Sequence, residues 1–73
     1  MESTIQSGTV FKHYKGNLYE FITFAIHSET REEVVVYKAL YGEYGIWVRP
    51  KSMFFEMIVI DGGEMPRFRV HND

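Results

Sequence analysis

Segments of β-branched and aromatic residues, cut at short intervals by turn residues, decide what this chain can fold into. Residues 34–40 read VVVYKAL, with three valines in a row. Such side chains fit a pleated, half-buried surface. Residues 18–27 form a second, longer run rich in Phe and Ile. The interruptions carry turn chemistry. Lys15-Gly16-Asn17, Gly42-Glu43-Tyr44-Gly45 and Asp61-Gly62-Gly63 supply residues that tolerate positive φ. The pattern predicts strands over residues 9–14, 18–27, 34–40, 46–49, 56–61 and 67–70. Pro50 is expected to end the fourth strand, because it has no N–H to donate to a ladder. Residues 51–55 read as a short 3₁₀ turn. Thr30 and Glu33 have capping-box spacing, which predicts one helical turn between the second and third strands.

Five or six short strands in 73 residues predict an all-β, mostly antiparallel fold. The expected form is a small SH3-like barrel or a strongly bent sheet, with one or two short helical turns. The length suits one domain, taken as residues 9–70, between a flexible N-terminus (1–8) and a short tail (71–73). A chain this short buries only about 60% of the surface it exposes when unfolded. The aromatic content of 16% reads first as core filling, since rings bury the most area per residue.

Composition narrows the function classes. Eight Lys and Arg stand against ten Asp and Glu, which argues against a general nucleic-acid coat but allows a local basic patch. Cysteine is absent, so no disulfide or thiolate metal cage forms. Residues 1–8 have no apolar run of signal-peptide type. No stretch approaches the roughly 20 apolar residues of a membrane-spanning helix. The expectation is a cytoplasmic protein with no membrane partner.

Side-chain parity predicts the register. If odd positions face inward, Thr23, Ala39 and Trp47 form one row, and Ala25, Tyr37 and Arg49 the next. Trp47 is then buried between small residues, and Arg49 lies close to Tyr37. The even face carries Ile22, Phe24, Ile26, Val36, Leu40, Ile46 and Val48. That is more apolar surface than a monomer usually leaves bare. Cover is expected from the chain's own ends or from a second copy, as a homodimer.

Seven blocks stand in fixed order: HYKG (13–16), HSET (27–30), VVY (35–37), LYG (40–42), WVRP (47–50), MF (53–54) and RF (67–68). Together they resemble the signature of a small bacterial domain-of-unknown-function family, over residues 8–70. The resemblance implies a compact β fold of SH3-like type and no particular activity.

No block carries a signature of catalysis. His27-Ser28-Glu29 places a base, a hydroxyl and a carboxylate together, but neighbouring side chains on a strand point to opposite faces. The favoured reading is a strand end at which His27 bonds a backbone group. His13, His27 and His71 match no metal-ligand spacing, and no phosphate loop, dinucleotide motif or nucleophile elbow is present. No cofactor, metal or catalytic residue is assigned.

Rings interleaved with cations are the strongest functional signal. They occur at Phe11–Lys15, at Trp47, Arg49 and Lys51, and at Arg67–Arg69. Rings stack on bases and cations meet phosphates, as on single-strand binding surfaces. An aromatic groove could equally take a peptide. Alternation on a half-buried strand produces the same pattern by geometry alone. The candidate binding residues are His13, Tyr14, Lys15, Tyr19, His27, Glu29, Tyr37, Trp47 and Arg49. The leading expectation is a binding module for nucleic acid or peptide. The alternative is a small metabolite-binding protein or enzyme with a pocket near His27, Tyr37 and Arg49.

Overall fold

The computed structural model describes residues 5–71. Among them are seven strands and one helical turn: β1 (Val10–His13), β2 (Leu18–Ile26), β3 (Glu33–Ala39), β4 (Ile46–Pro50), α1 (Lys51–Phe54), β5 (Met57–Ile60), β6 (Gly63–Pro66) and β7 (Phe68–Val70). A five-stranded sheet has the order β4-β3-β2-β1-β7, and β5 and β6 form a separate hairpin. All pairings are antiparallel.

Turn chemistry places the strands. Gly16 adopts φ 109° between β1 and β2, where the His13 N–H donates to the Asn17 carbonyl at 2.8 Å. Asp61 and Gly62 both take positive φ, 52° and 80°, as a two-residue hairpin turn between right-twisted strands requires. Pro50 is the last residue of β4 rather than a residue beyond it. It opposes Val34 on an edge strand, so its missing N–H removes no ladder bond.

One irregularity governs the interior. Phe21 faces Tyr37, but Thr23 faces Val36, so Ile22 is the extra residue of a bulge in β2. A bulge exchanges inside for outside along the rest of the strand. Phe21 and Phe24 therefore share the inner face, with ring centroids 5.0 Å apart. The core consists of Phe11, Phe21, Val35, Tyr37, Phe54 and Phe68, with Ile5, Tyr19 and Phe24 packed against it. α1 lays Phe54 over the inner face. Its ring stacks on Phe68 at 4.1 Å and meets Phe11 edge-on at 5.2 Å.

Several expectations are corrected. The fold is all-β and bent, but the large sheet stays open between edges β4 and β7 instead of closing into a barrel. The closing segment divides at Pro66, which ends β6, while Phe68 begins β7. That division and the β5–β6 hairpin raise the strand count to seven. Residues 51–54 form an α-helical turn rather than a 3₁₀ turn. Residues 28–30 form one α-turn, closed by the Arg31 N–H on the His27 carbonyl at 2.8 Å, but not through the expected capping box. Thr30 Oγ1 accepts the Glu32 N–H at 3.3 Å instead of capping through Glu33, and Arg31 takes φ 66°.

The pairing registers differ from the expected rows, on β3–β4 by two residues and on β2–β3 already before the bulge. Ala39 lies opposite Tyr19, and Trp47 lies opposite Tyr37. Trp47 is 59% exposed, because β4 is an edge strand with no further strand beside it. Phe24 turns inward, so the seven even residues do not form one outer patch. Ile46 and Val48 remain exposed, whereas Val36 is half-buried.

Residues 5–8, expected to fray, are tied to β2. The Gly8 N–H donates to the Phe21 carbonyl at 2.9 Å, and the Ser7 hydroxyl donates to the Ile22 carbonyl. The rest of the expected flexible N-terminus, residues 1–4, and residues 72–73 of the tail lie outside the described residues.

Candidate aromatic binding face

Cross-strand pairs put a set of polar rings on the inner face of the sheet. Opposed residues of an antiparallel pair project from the same side. Tyr19 opposes Ala39, Tyr37 opposes Trp47, and His13 opposes Phe68. Their rings gather round Phe68, whose centroid lies 4.9 Å from His13, 5.5 Å from Tyr19 and 5.9 Å from Tyr37. Tyr41, just past β3, closes the group at 5.6 Å from Tyr19, with the two hydroxyls 2.8 Å apart. Tyr14 packs against His13 at 4.5 Å and lies under the Lys15 ammonium.

Arg49 enters this group from β4. Its Nε–H donates to the Tyr37 hydroxyl at 3.4 Å, and its guanidinium lies 5.6 Å from the Phe68 centroid. No carboxylate among the described residues pairs with it. Arg67 donates through Nη2 to Glu56, and its Nε is buried without a hydrogen-bond partner.

The electrostatics follow from this packing. Partial burial holds the His13 pKa below the ordinary histidine value, and the positive fields of Arg49, Arg67 and Lys15 depress it further. The imidazole is thus favoured neutral, and its Nδ1 accepts the Lys15 N–H at 3.2 Å. The Tyr19 hydroxyl is pushed up to about 12, first by burial and then by the hydrogen bond to Tyr41. At neutral pH the face therefore presents the protonated Tyr19 phenol, a neutral His13 imidazole and an arginine with no carboxylate partner among the described residues. That set suits an anion carried on a planar or apolar body.

The structure brings together His13, Tyr14, Lys15, Tyr19, Tyr37 and Arg49, with Trp47 at the outer rim. It does not bring in His27 or Glu29. His27 Nδ1 accepts the N–H groups of Glu29 and Thr30 at 3.1 and 3.3 Å, closing the turn after β2. It lies six residues beyond Phe21, the partner of Tyr37, which is roughly 20 Å of strand. The expected pocket joining His27 to Tyr37 and Arg49 is therefore not formed. Tyr41 continues the odd row of the third strand but is missing from the candidate binding residues, and it lies just beyond β3. Phe68 and Arg67 stand in the third ring–cation run, but only the β1–β7 pairing places them at His13.

A shallow cleft between the start of β3 and α1 is lined by Glu32, Glu33, Lys51, Ser52 and Phe55. The 3.4 Å ion pair of Lys51 and Glu33 lies in it. No group of three potential ligands among the described residues is placed to hold a metal ion. No helix among them is long and apolar enough to cross a membrane.

An open antiparallel sheet with one helical turn over half of its inner face defines a small β-rich domain. The chain belongs to the family described as protein of unknown function DUF1653, which matches residues 9–70. It is similar to the crystal structure of a DUF1653 protein from Bordetella bronchiseptica, at 34% identity and a TM-score of 0.78. That likeness covers 93% of this chain and 87% of the other. No curated protein matches the chain.

Proposed function

We propose that this domain is a binding module that holds a single-stranded nucleic acid on its aromatic inner face, with a phosphate at Arg49. The observation that carries this reading is the setting of Arg49. It is a half-buried guanidinium, bonded to the Tyr37 hydroxyl and lying over Phe68, with no carboxylate to neutralise it. A cation left unpaired among rings favours an anion that also brings a flat apolar surface, and a nucleotide offers both. Exposed rings of Tyr41 and Trp47 flank the group and supply stacking surfaces worth about 1–3 kcal/mol per base. The net charge of −2 limits how many phosphates are met at once, so binding is modest and salt-sensitive.

The test is fluorescence anisotropy with labelled mixed-sequence single-stranded RNA and DNA. Binding is expected at low salt, with affinity falling as salt rises and at least about a tenfold loss in Arg49→Ala. Absence of binding at low salt overturns the reading, as does an Arg49→Ala variant that binds as well as the parent. Binding of acidic peptides in place of oligonucleotides would assign the face to a peptide instead.

A further inference from the structure

We propose that two copies of this chain pair through the outer edges of their β4 strands, in an antiparallel register centred on Val48. The inference is independent of the nucleic-acid reading and rests on the backbone and side chains of β4.

The phase of the β3–β4 ladder shows which backbone groups of β4 are unused. The Ala39 N–H donates to the Gly45 carbonyl at 2.9 Å. Hydrogen-bonded pairs recur at every second residue of an antiparallel ladder. Tyr37–Trp47 and Val35–Arg49 are therefore the bonded pairs. The N–H and carbonyl groups of Ile46 and Val48 point the other way, toward the side on which no strand lies. The carbonyl of Pro50, the N-cap of α1, keeps one lone pair beyond the helical bond it accepts. Among the described residues no turn or loop hydrogen bond reaches them either.

Protection of this edge is confined to its end, where Arg49 turns inward and Pro50 stops the ladder; the rest of it has none. Ile46, Trp47 and Val48 are instead three consecutive exposed apolar residues, at 58%, 59% and 59%. The opposite edge, β7, is three residues long and carries Arg69.

Self-pairing about Val48 satisfies both features. Val48 of one copy exchanges N–H and carbonyl bonds with Val48 of the other. Each Ile46 N–H reaches the second lone pair of the other copy's Pro50 carbonyl, whose first serves α1. Pro50 has no N–H to leave unmatched at that position. On one face Val48 meets Val48, and Ile46 meets Pro50. On the other face each Trp47 lies opposite the Arg49 of the second copy. No like charges are opposed. The axis is isologous, as a closed dimer requires. The second copy's Arg49 then reaches the rim of the first copy's aromatic face, and the two faces join on one continuous sheet surface.

Sedimentation of the whole chain over a wide concentration range tests this, together with amide hydrogen exchange. The expected result is a dimer whose Ile46 and Val48 amides exchange slowly. Val48→Lys places like charges on the axis. It should give a folded monomer in which both amides exchange quickly. Val59→Lys, on the exposed β5 strand, should remain dimeric. A wild-type chain that is monomeric throughout overturns the proposal. So does a dimer that survives Val48→Lys, or one that Val59→Lys dissociates. Oligonucleotide binding by monomeric Val48→Lys is read separately, so each proposal can fail alone.

Discussion

The hydroxyls of Tyr19 and Tyr41 lie 2.8 Å apart, joining the end of the inner face to the loop after β3. Burial and this hydrogen bond raise the Tyr19 pKa to about 12. Between the ordinary tyrosine range and that value, the unfolded chain ionises Tyr19 while the folded chain keeps its proton. The associated stability is thus complete below pH 10 and is lost as pH rises toward 12. Tyr41→Phe removes the hydrogen bond and the charge of Tyr41 and leaves burial, the largest cause. The Tyr19 titration should then move down but stay above 10, as followed by phenolate absorbance. An unchanged Tyr19 titration would show that the hydroxyl contact has no hold on it.

His13 responds in the opposite pH direction. Its pKa is lowered by burial and by the fields of Arg49, Arg67 and Lys15. Above the ordinary histidine value neither state carries the proton, and the full stability is present. As pH falls below 6.5, the unfolded chain takes up the proton first, so stability declines until pH reaches the folded value. Protonation also removes the Nδ1 acceptor of the Lys15 N–H. Arg49→Gln should raise the His13 pKa in an NMR titration and flatten the acid loss of stability. If the His13 titration does not move, the guanidinium does not act on the imidazole.

The strands, their turns and most of the aromatic face were legible in the sequence because they depend on local chemistry. Gly16 and the Asp61-Gly62 pair fix turns through φ alone. The Arg49–Tyr37 contact forms diagonally, since Arg49 opposes Val35 rather than the Tyr37 that parity predicts, and the ring under the guanidinium is Phe68. The bulge at Ile22 was not legible, because an alternating pattern looks the same until one residue is skipped. Its trace is the spacing of Phe21 and Phe24, two large rings three positions apart that both pack inward. Strand order was not legible either. The exposure of Trp47 depends on β4 being an edge, a property of the whole sheet. The same global pairing sets β7 beside β1 and brings Phe68 against His13.

Gly45 gives the exposed indole its seat. A methyl group at this position would stand 3.2 Å from Trp47 Nε1, closer than comfortable packing allows. Gly45 has no positive φ to disturb, so Gly45→Ala acts through the side chain. Trp47 lies on an exposed edge and can move aside, so the cost in stability should stay below about 1 kcal/mol. The expected result is a shift in Trp47 emission with little change in the urea midpoint. A large loss of stability with unshifted emission would mean that the turn itself needs glycine.

Phe54 holds α1 in place. α1 spans four residues and has no side-chain cap, so its own hydrogen bonds cannot keep it helical. Its anchor is one fully buried ring, stacked on Phe68 at 4.1 Å and an interplanar angle of 3°. The same ring also packs against Phe11 and Tyr37, at 5.2 and 5.5 Å. Truncating a buried Phe to Ala costs about 3–5 kcal/mol. Native domains have only about 5–15 kcal/mol in total, and a small one lies near the lower end. Phe54→Ala should therefore be largely unfolded or loosely packed, with near-ultraviolet dichroism lost. Phe54→Leu keeps most of the apolar volume and forfeits the stacking, worth about 0.5–1.5 kcal/mol, so it should fold with a lowered urea midpoint. If Phe54→Ala instead unfolds within 1 kcal/mol of the parent (about a fifth of the smallest expected total), the helical turn does not clamp the sheet. The open half of the inner face would then extend over the whole of it.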